Sequence, residues 1–167
     1  LDGSELKLDV DALVIADAEK PVALAGIMGG ANSQVSEATK NIVLESACFD
    51  SSAIRKASKK YGLRSDSSYR FERGVDMEGV ITAQARAACL IQELAGGDIC
   101  KGRIDVYPKT RENIQMALRV SRVNQLLGAD FSAEQIKEII SRLGLKVEAA
   151  IKGGTLQIEI PGFRPDL

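Results

Sequence analysis

A polar break near residue 110 divides the chain into two parts, and each part must build its own hydrophobic core. Residues 109 to 113 read KTREN and contain no apolar side chain, in a chain that is 45% hydrophobic overall. We therefore predict one domain over residues 1–110 and a second over residues 111–167. Because aromatic residues make up only 4% of the chain and tryptophan is absent, aliphatic side chains and alanine must fill both cores.

The first domain is predicted to contain a β-sheet. An Asp-Gly turn followed by alternating leucines, and short apolar runs bounded by turn residues, are typical of strands. The predicted strands lie in residues 1–9, 13–17, 21–30, 41–49 and 101–108. The run 41–49 is continuous enough to predict a strand that is buried on both faces.

Two helices are predicted to pack with this sheet. Residues 51–62 carry apolar side chains on one face, with Ser51 or Ser52 as the N-cap and Gly62 as the C-terminal stop. Residues 77–95 carry a stripe of small and apolar side chains, and a helix of this kind can pack close to a sheet.

The second domain is predicted to contain a strand, two helices and a β-hairpin. Apolar residues alternate from Ile114 to Val120, and helices are predicted over residues 121–128 and 132–144, the second with a Ser132–Gln135 capping box. Two alternating segments flank Gly153 and Gly154 and predict the hairpin. This order is that of a small winged-helix-like module, so the predicted fold class is α+β.

Composition excludes several classes of protein. A net charge of −1 gives no bulk attraction to nucleic acid or membranes, and no apolar run approaches the roughly 20 residues of a membrane span. The chain contains no histidine, which argues against Ser-His and Cys-His catalysis built from this chain alone. The three cysteines match no zinc motif and are interpreted as buried, reduced thiols of a cytosolic protein.

Three features are candidates for a binding site. Gly26, Gly29 and Gly30 form either a turn or a backbone wall close to a ligand, and spacing alone favours the turn. Glu45 interrupts an apolar run, and it either faces water on an edge strand or accepts a hydrogen bond from a ligand in a pocket. The two alternatives for Glu45 are about equal on sequence grounds.

The polar stretch LRSDSSYRFERGVD, residues 63 to 76, is the third candidate. One interpretation is a structural network, in which Arg70 and Arg73 pair with Asp66, Glu72 and Asp76. Tyr69 and Phe71 alternate, which places them on one face if the segment is extended. In the other interpretation, the serines and backbone of residues 65 to 67 line a pocket.

Several long motifs together resemble the β chain of bacterial phenylalanyl-tRNA synthetase. ALAGIMGG, NIVLESACF and IRKASKKYGLRSDSSYRFERGVD resemble the B3/B4 domain of that family in order and spacing. NQLLG, RLGLKV and IPGFRPDL resemble the following B5 domain. The resemblance covers essentially all of the chain, and both chain ends are interpreted as cuts through a longer protein. It implies a B3/B4-type β-sheet with packed helices, followed by a winged-helix-like B5 module.

The resemblance also implies an editing site. In this family the B3/B4 domain hydrolyses tyrosine wrongly attached to tRNA(Phe), since an apolar synthetic pocket cannot fully reject a substrate that adds only one hydroxyl. Glu45 aligns with the glutamate that recognises this hydroxyl, and Gly29 with a glycine of the same pocket. Ser65 and Ser67 align with wall positions that are threonine and alanine in relatives, and Gly26 is included in the expected editing pocket.

No residue of the chain is assigned as catalytic. The family's site also uses a histidine and an arginine that would precede residue 1, and hydrolysis there rests on a positioned water and the terminal hydroxyl of the tRNA. We therefore expect Glu45 to recognise and orient the substrate, and the isolated chain to be inactive.

The resemblance implies partners and cofactors for the parent enzyme. These are an α chain in an α2β2 tetramer, tRNA(Phe), ATP and Mg²⁺, in the cytoplasm and away from membranes. Asp166 aligns with the first acidic residue of the Mg²⁺ site of the intact β chain, and no cofactor is expected in the fragment.

Two other functions remain open on sequence grounds. One is a winged-helix nucleic-acid-binding protein, although residues 111 to 167 carry eight basic and seven acidic residues and no basic recognition face. The other is a structural interaction module without catalysis, which predicts that Glu45 faces bulk solvent.

Overall fold

The computed structural model describes residues 2–108, 112–151 and 154–167, with backbone only for residues 149–151. The chain forms two compact units, one up to Ile99 and one from Cys100 onward. Each combines a small antiparallel sheet with helices, which confirms the α+β class. The predicted boundary between residues 110 and 111 adjoins residues 109–111, which lie outside the described residues, so it stays a prediction.

The sheet of the first unit has three short antiparallel strands in the order β1-β2-β3. These are β1 (Val14–Ala16), β2 (Pro21–Leu24) and β3 (Met28–Gly29). The predicted run 21–30 is therefore two strands joined by a turn at residues 25–27. Gly26 allows this turn, because its φ is +66° and its Cα lies so close to the core that a Cβ would be 2.8 Å from the Phe49 ring.

Three of the predicted strands are wrong. Residues 2–9, 41–49 and 101–108 are all described, and none of them forms a strand. The segment 41–49 lies instead against a helix: Gln84 Nε2 donates to the Leu44 carbonyl at 3.2 Å, and Ser46 Oγ donates to the Val80 carbonyl at 2.9 Å. Residues 101–108 are exposed throughout, so this segment does not contribute a buried strand.

The first helix confirms its prediction except at its N-terminus. It is α1 (Ser51–Tyr61), and Gly62 ends it in the left-handed conformation with a φ of 67°. The cap is Asp50, not Ser51 or Ser52, because Asp50 Oδ1 accepts from the backbone amide of Ala53 at 2.7 Å.

The polar stretch contains a short helix that its sequence pattern does not predict. This helix is α2 (Asp66–Phe71), and Ser65 and Ser68 cap its N-terminus reciprocally at 3.0 Å in each direction. The placement of Tyr69 and Phe71 on one face of an extended segment is therefore wrong. Helical spacing separates them, and Tyr69 is exposed while Phe71 packs against the core.

The core of the first unit lies between the hairpin, α1 and α2. Leu24, Ile27 and Ile54 are buried at its centre, and Phe49 meets Phe71 edge to face with ring centroids 4.9 Å apart. The predicted second helix exists as α3 (Gly79–Ala95). All 17 of its residues are described and none is buried, so the structure does not show the close packing on a sheet that its small residues allow.

The second unit follows the predicted order of elements. It contains β4 (Ile114–Arg119), α4 (Val120–Leu127), α5 (Ala133–Arg142), β5 (Lys146–Ile151) and β6 (Thr155–Ile160). The sheet order is β4-β6-β5, with β6 antiparallel to both neighbours, and the Ser132–Gln135 capping box is present. The predicted hairpin is formed by β5 and β6, although Gly153 lies outside the described residues.

The core of the second unit is aliphatic, as the composition requires. Leu145, Ile158 and Ile160 are buried, with Leu118, Ile140 and Val147 packed against them. The predicted apolar face of α5 is covered only in part, because Ile136 is 4% exposed while Ile139 is 50% exposed.

Candidate functional site

One cavity of about 1020 Å³ in the first unit brings the predicted site residues together. Its walls are the β2–β3 hairpin, residues 45–49, the N-terminus of α2 and the start of α3. All five residues of the predicted editing pocket line it, namely Gly26, Gly29, Glu45, Ser65 and Ser67. The residues are spread over some 40 positions, so their meeting is a property of the fold.

Glu45 lines this cavity but is not buried. The residue is exposed, and the segment around it is irregular backbone. The view of Glu45 as a costly carboxylate within a buried strand is therefore wrong, since an exposed carboxylate needs no partner to offset desolvation. Its place is set by the neighbouring Ser46, whose hydroxyl is anchored to the Val80 carbonyl on α3.

Gly26 and Gly29 form the backbone wall of the cavity. Gly29 pairs with Ala23 in the hairpin, and Gly26 sits in the turn that connects the two strands. A Cβ at Gly26 would lie 2.8 Å from Phe49 and 2.9 Å from Ile54. Gly26 is thus a turn residue that also closely approaches the core, in agreement with the turn interpretation, and close approach to a ligand stays a prediction.

The hydroxyls of Ser65 and Ser67 fasten α2 to this wall. Ser65 Oγ donates to the Ile27 carbonyl at 2.5 Å, and Ser67 Oγ donates to the Gly26 carbonyl at 3.1 Å. Both hydroxyl protons are therefore committed to the protein backbone. Towards a ligand, the two serine oxygens can therefore act mainly as hydrogen-bond acceptors. Their bonds to the backbone also fix the position of the wall.

The predicted ionic network is present only in part. Arg73 pairs with Glu72 and donates to the Tyr69 carbonyl at 2.7 Å. All of residues 65–76 are described, and no ion pair joins Arg70 or Arg73 to Asp66 or Asp76. The wall is therefore held chiefly by the serine hydroxyls and the packed ring of Phe71.

The cavity combines apolar walls with negative charge. Ile27, Phe49, Phe71 and Val80 contribute apolar surface, which suits an aromatic side chain. Asp2, Glu45, Asp66 and Asp76 also line it, and no lysine or arginine is among its described lining residues. The site therefore favours a ligand with a cationic group and disfavours an anion.

Sequence reasoning missed most of the apolar lining and the acidic residues other than Glu45. Phe49 and Phe71 resemble ordinary core aromatics, and both do pack against the core. Asp76 was interpreted as part of an ionic network, but its Oδ1 accepts from the backbone amide of Glu78 at 3.1 Å. The sequence feature that could have marked Asp76 as a lining residue is its position at the end of the polar stretch, just before α3.

Asp166 in the second unit has a protein partner. Arg164 donates from Nε and from one terminal nitrogen to the two carboxylate oxygens, each at 2.8 Å. This bidentate pair lowers the pKa of Asp166 to about 2. Within the described ranges no group of three metal-ligating side chains occurs, so the residues present do not fit a Mg²⁺ site by themselves.

All three cysteines are exposed, so their interpretation as buried thiols is wrong. No helix in the described part of the chain is long and apolar enough to span a membrane.

The chain matches two known domain families and is similar to curated proteins over its full length. Residues 1–96 match the family model of the B3/4 domain, and residues 116–167 match that of the tRNA synthetase B5 domain. Over its full length the chain is 50% identical to the phenylalanine–tRNA ligase beta subunit of Moorella thermoacetica, and 47% identical to those of Syntrophus aciditrophicus and Geobacter metallireducens. It spans 20% of the first relative and 21% of the other two. The chain therefore belongs to the B3/4 domain family, joined to a tRNA synthetase B5 domain as in phenylalanine–tRNA ligase beta subunits.

Proposed function

We propose that the cavity of the first unit is an editing site that hydrolyses tyrosine from mischarged tRNA(Phe). The observation that carries this proposal is the meeting of Gly26, Gly29, Glu45, Ser65 and Ser67 around one cavity. Membership of the B3/4 domain family supports it.

Selectivity would come from the tyrosine hydroxyl. The rings of Phe49 and Phe71 provide apolar surface for the aromatic side chain of the substrate, and Glu45 accepts a hydrogen bond from its para hydroxyl. Phenylalanine makes no such bond. Because Glu45 is exposed and water can solvate it, discrimination rests on the hydrogen bond that only tyrosine gains.

The residues of this chain act by binding and orientation. The carboxylates of Asp66 and Asp76 favour the α-ammonium group of the aminoacyl ester, and the serine-anchored wall sets its position. The attacking water and the terminal hydroxyl of the tRNA carry out the proton transfers. Glu45 is assigned to recognition and not to general base catalysis.

The parent protein is proposed to attach phenylalanine to tRNA(Phe) with ATP and Mg²⁺ in the cytoplasm, as an α2β2 tetramer with an α chain. The names of the relatives support a beta subunit of this ligase. Asp166 would contribute to a Mg²⁺ site only together with residues outside this chain, and only if it exchanges its pairing with Arg164.

The test replaces Glu45 by alanine in the full-length ligase. Losing a hydrogen bond to a charged group costs about 1.5–3 kcal/mol, so deacylation of Tyr-tRNA(Phe) should fall by roughly 10- to 150-fold while phenylalanine charging is unchanged. Glu37→Ala, an exposed carboxylate away from the cavity, is the matched control. Clearance of Tyr-tRNA(Phe) by Glu45→Ala at the wild-type rate would show that the site is wrongly assigned.

An interaction module without catalysis is a second candidate, and the exposure of Glu45 is the observation that favours it. The same experiment separates the two functions. An interaction module predicts that Glu45→Ala changes neither deacylation nor charging, whereas an equal loss of both indicates a structural effect.

A further inference from the structure

A second cleft of about 490 Å³ adjoins the candidate editing cavity and carries the opposite charge. We call it the basic cleft, and its charged lining residues are Arg55, Lys59, Arg64, Glu72 and Arg73. Ser65 lines both the basic cleft and the editing cavity, so the N-terminus of α2 lies between them.

Local structure explains how the cations converge. Arg55 and Lys59 are four residues apart on α1, which places them on one face of the helix. Gly62 then ends α1 in a left-handed turn, and the chain returns so that Arg64 joins the same cleft. Ser58 holds this turn, because its hydroxyl donates to the Leu63 carbonyl at 2.5 Å.

Most of this positive charge is not neutralised. Glu72 is the only carboxylate among the described lining residues, and it pairs with Arg73. Across the described ranges no ion pair involves Arg55, Lys59 or Arg64.

By contrast, Lys60 on the neighbouring face of α1 is paired with Asp9. The basic cleft therefore presents three uncompensated cations beside a cavity that is lined by carboxylates.

An aromatic platform lies at the same place. Tyr69 is 60% exposed, and the guanidinium of Arg73 lies 3.6 Å from the centre of its ring. Exposed aromatic rings and arginine planes are the surfaces on which unpaired nucleic-acid bases stack. Cations that meet phosphates next to a stacking platform are typical of single-stranded RNA binding.

We propose that the basic cleft binds the phosphates and an unpaired base of a single-stranded RNA 3′ end, whose terminal aminoacyl ester enters the adjacent cavity. The identity of that ester rests on the proposed function. The two halves of such a ligand match the two sites: its phosphates are anionic and face the cations, and its α-ammonium group is cationic and faces the carboxylates.

The first test measures RNA binding without hydrolysis. The full-length protein carrying Arg55→Gln, Lys59→Gln and Arg64→Gln is titrated with a short single-stranded RNA that ends in CCA. The RNA carries a 5′-fluorescein label and no amino acid. Each phosphate contact contributes a slope of about −0.7 to the dependence of log K on log salt, so losing three contacts reduces the slope by about 2. Affinity at low salt should fall at least tenfold.

The matched control removes the same charge elsewhere in the unit. Lys20, Lys40 and Arg86 are exposed and line neither cavity, and their replacement by glutamine should leave affinity and slope unchanged. Wild-type affinity and slope in the cleft variant would overturn the proposal, and so would an equal loss in the control.

The second test separates this proposal from the proposed function. In the cleft variant, deacylation of Tyr-tRNA(Phe) should fall about tenfold through KM, while hydrolysis of the phosphate-free ester 3′-O-tyrosyl-adenosine stays at the wild-type rate. Equal loss with both esters would indicate damage to the cavity and count against the basic cleft. If the wild-type protein hydrolyses neither ester, the editing function fails, and the RNA titration alone decides on the cleft.

Discussion

Ser67 donates a hydrogen bond from its hydroxyl to the carbonyl oxygen of Gly26, 3.1 Å away, and so joins α2 to the turn of the β2–β3 hairpin. The two residues are 41 positions apart, and both line the candidate editing cavity. Ser65 makes the parallel connection to Ile27 at 2.5 Å. These two bonds fasten the N-terminus of α2 to the hairpin turn, and Ser65 lines both the cavity and the basic cleft.

Replacing these serines by alanine should destabilise the first unit in a definite order. Ser67→Ala removes one hydrogen bond, which costs about 0.5–1.5 kcal/mol. Ser65→Ala removes a similar bond and also the N-cap of α2, which is worth a further 0.5–2 kcal/mol or so. Urea denaturation of the two variants measures the difference, and a larger loss for Ser67→Ala would contradict the observed hydrogen bonding.

Gly26→Ala should be far more destabilising than Gly62→Ala. Both glycines have nearly the same φ, +66° and +67°, so both substitutions carry a similar backbone strain of about 1–2 kcal/mol. Nothing lies within 4 Å of a Cβ at Gly62, whereas a Cβ at Gly26 meets Phe49 and Ile54. Overpacking adds about 1–3 kcal/mol at Gly26 alone. Equal midpoints of urea denaturation for the two variants would exclude the close approach.

The carboxyl group of Asp166 should titrate at about pH 2, and Arg164→Gln should return its pKa towards the ordinary value of about 3.9. The pKa is lowered in the folded state, so the stabilisation by this pair is complete above the unfolded pKa. It is lost as the pH falls through the folded pKa. Carboxyl NMR chemical shifts between pH 5 and 1.5 measure both values. A wild-type titration near pH 3.9 would show that the bidentate pair does not form.

Two isoleucines of α5 should respond differently to truncation. Ile136 is 4% exposed, so Ile136→Ala should cost about 2–5 kcal/mol, as for buried aliphatic side chains. Ile139 is 50% exposed, and Ile139→Ala should cost about 1 kcal/mol or less. Thermal unfolding of the two variants provides the comparison, and similar melting temperatures would contradict the burial of Ile136.

Local chemistry made α1 and α5 predictable. The Ser132–Gln135 capping box and the stop at Gly62 act between residues that are close in sequence, and both are present. The alternating pattern of β6 was equally informative, because Leu156, Ile158 and Ile160 are buried and the residues between them are only partly buried. The Ser65–Ser68 capping box was a similar signal, but the charged residues around it concealed α2.

Longer-range relationships were not predictable from the residues alone. The β-branched run at residues 41–49 has a high propensity for extended structure, but a strand also needs a neighbouring strand. In the fold its polar groups meet α3 instead, through Gln84 and Ser46. For the same reason Glu45 could not be placed in a buried or an exposed position from its sequence neighbours.

By itself the sequence determined several elements whose causes are local: helices α1 and α5, the glycine stops and the hairpin of the second unit. Its motifs also identified five of the residues that line the cavity, by resemblance. Only the tertiary structure decided that Glu45 is exposed, that the hydroxyls of Ser65 and Ser67 serve the backbone, and that a basic cleft adjoins a carboxylate-lined cavity. The physical reason is that hydrogen-bond partners and solvent exposure depend on which distant segments meet, and sequence spacing does not encode that meeting directly.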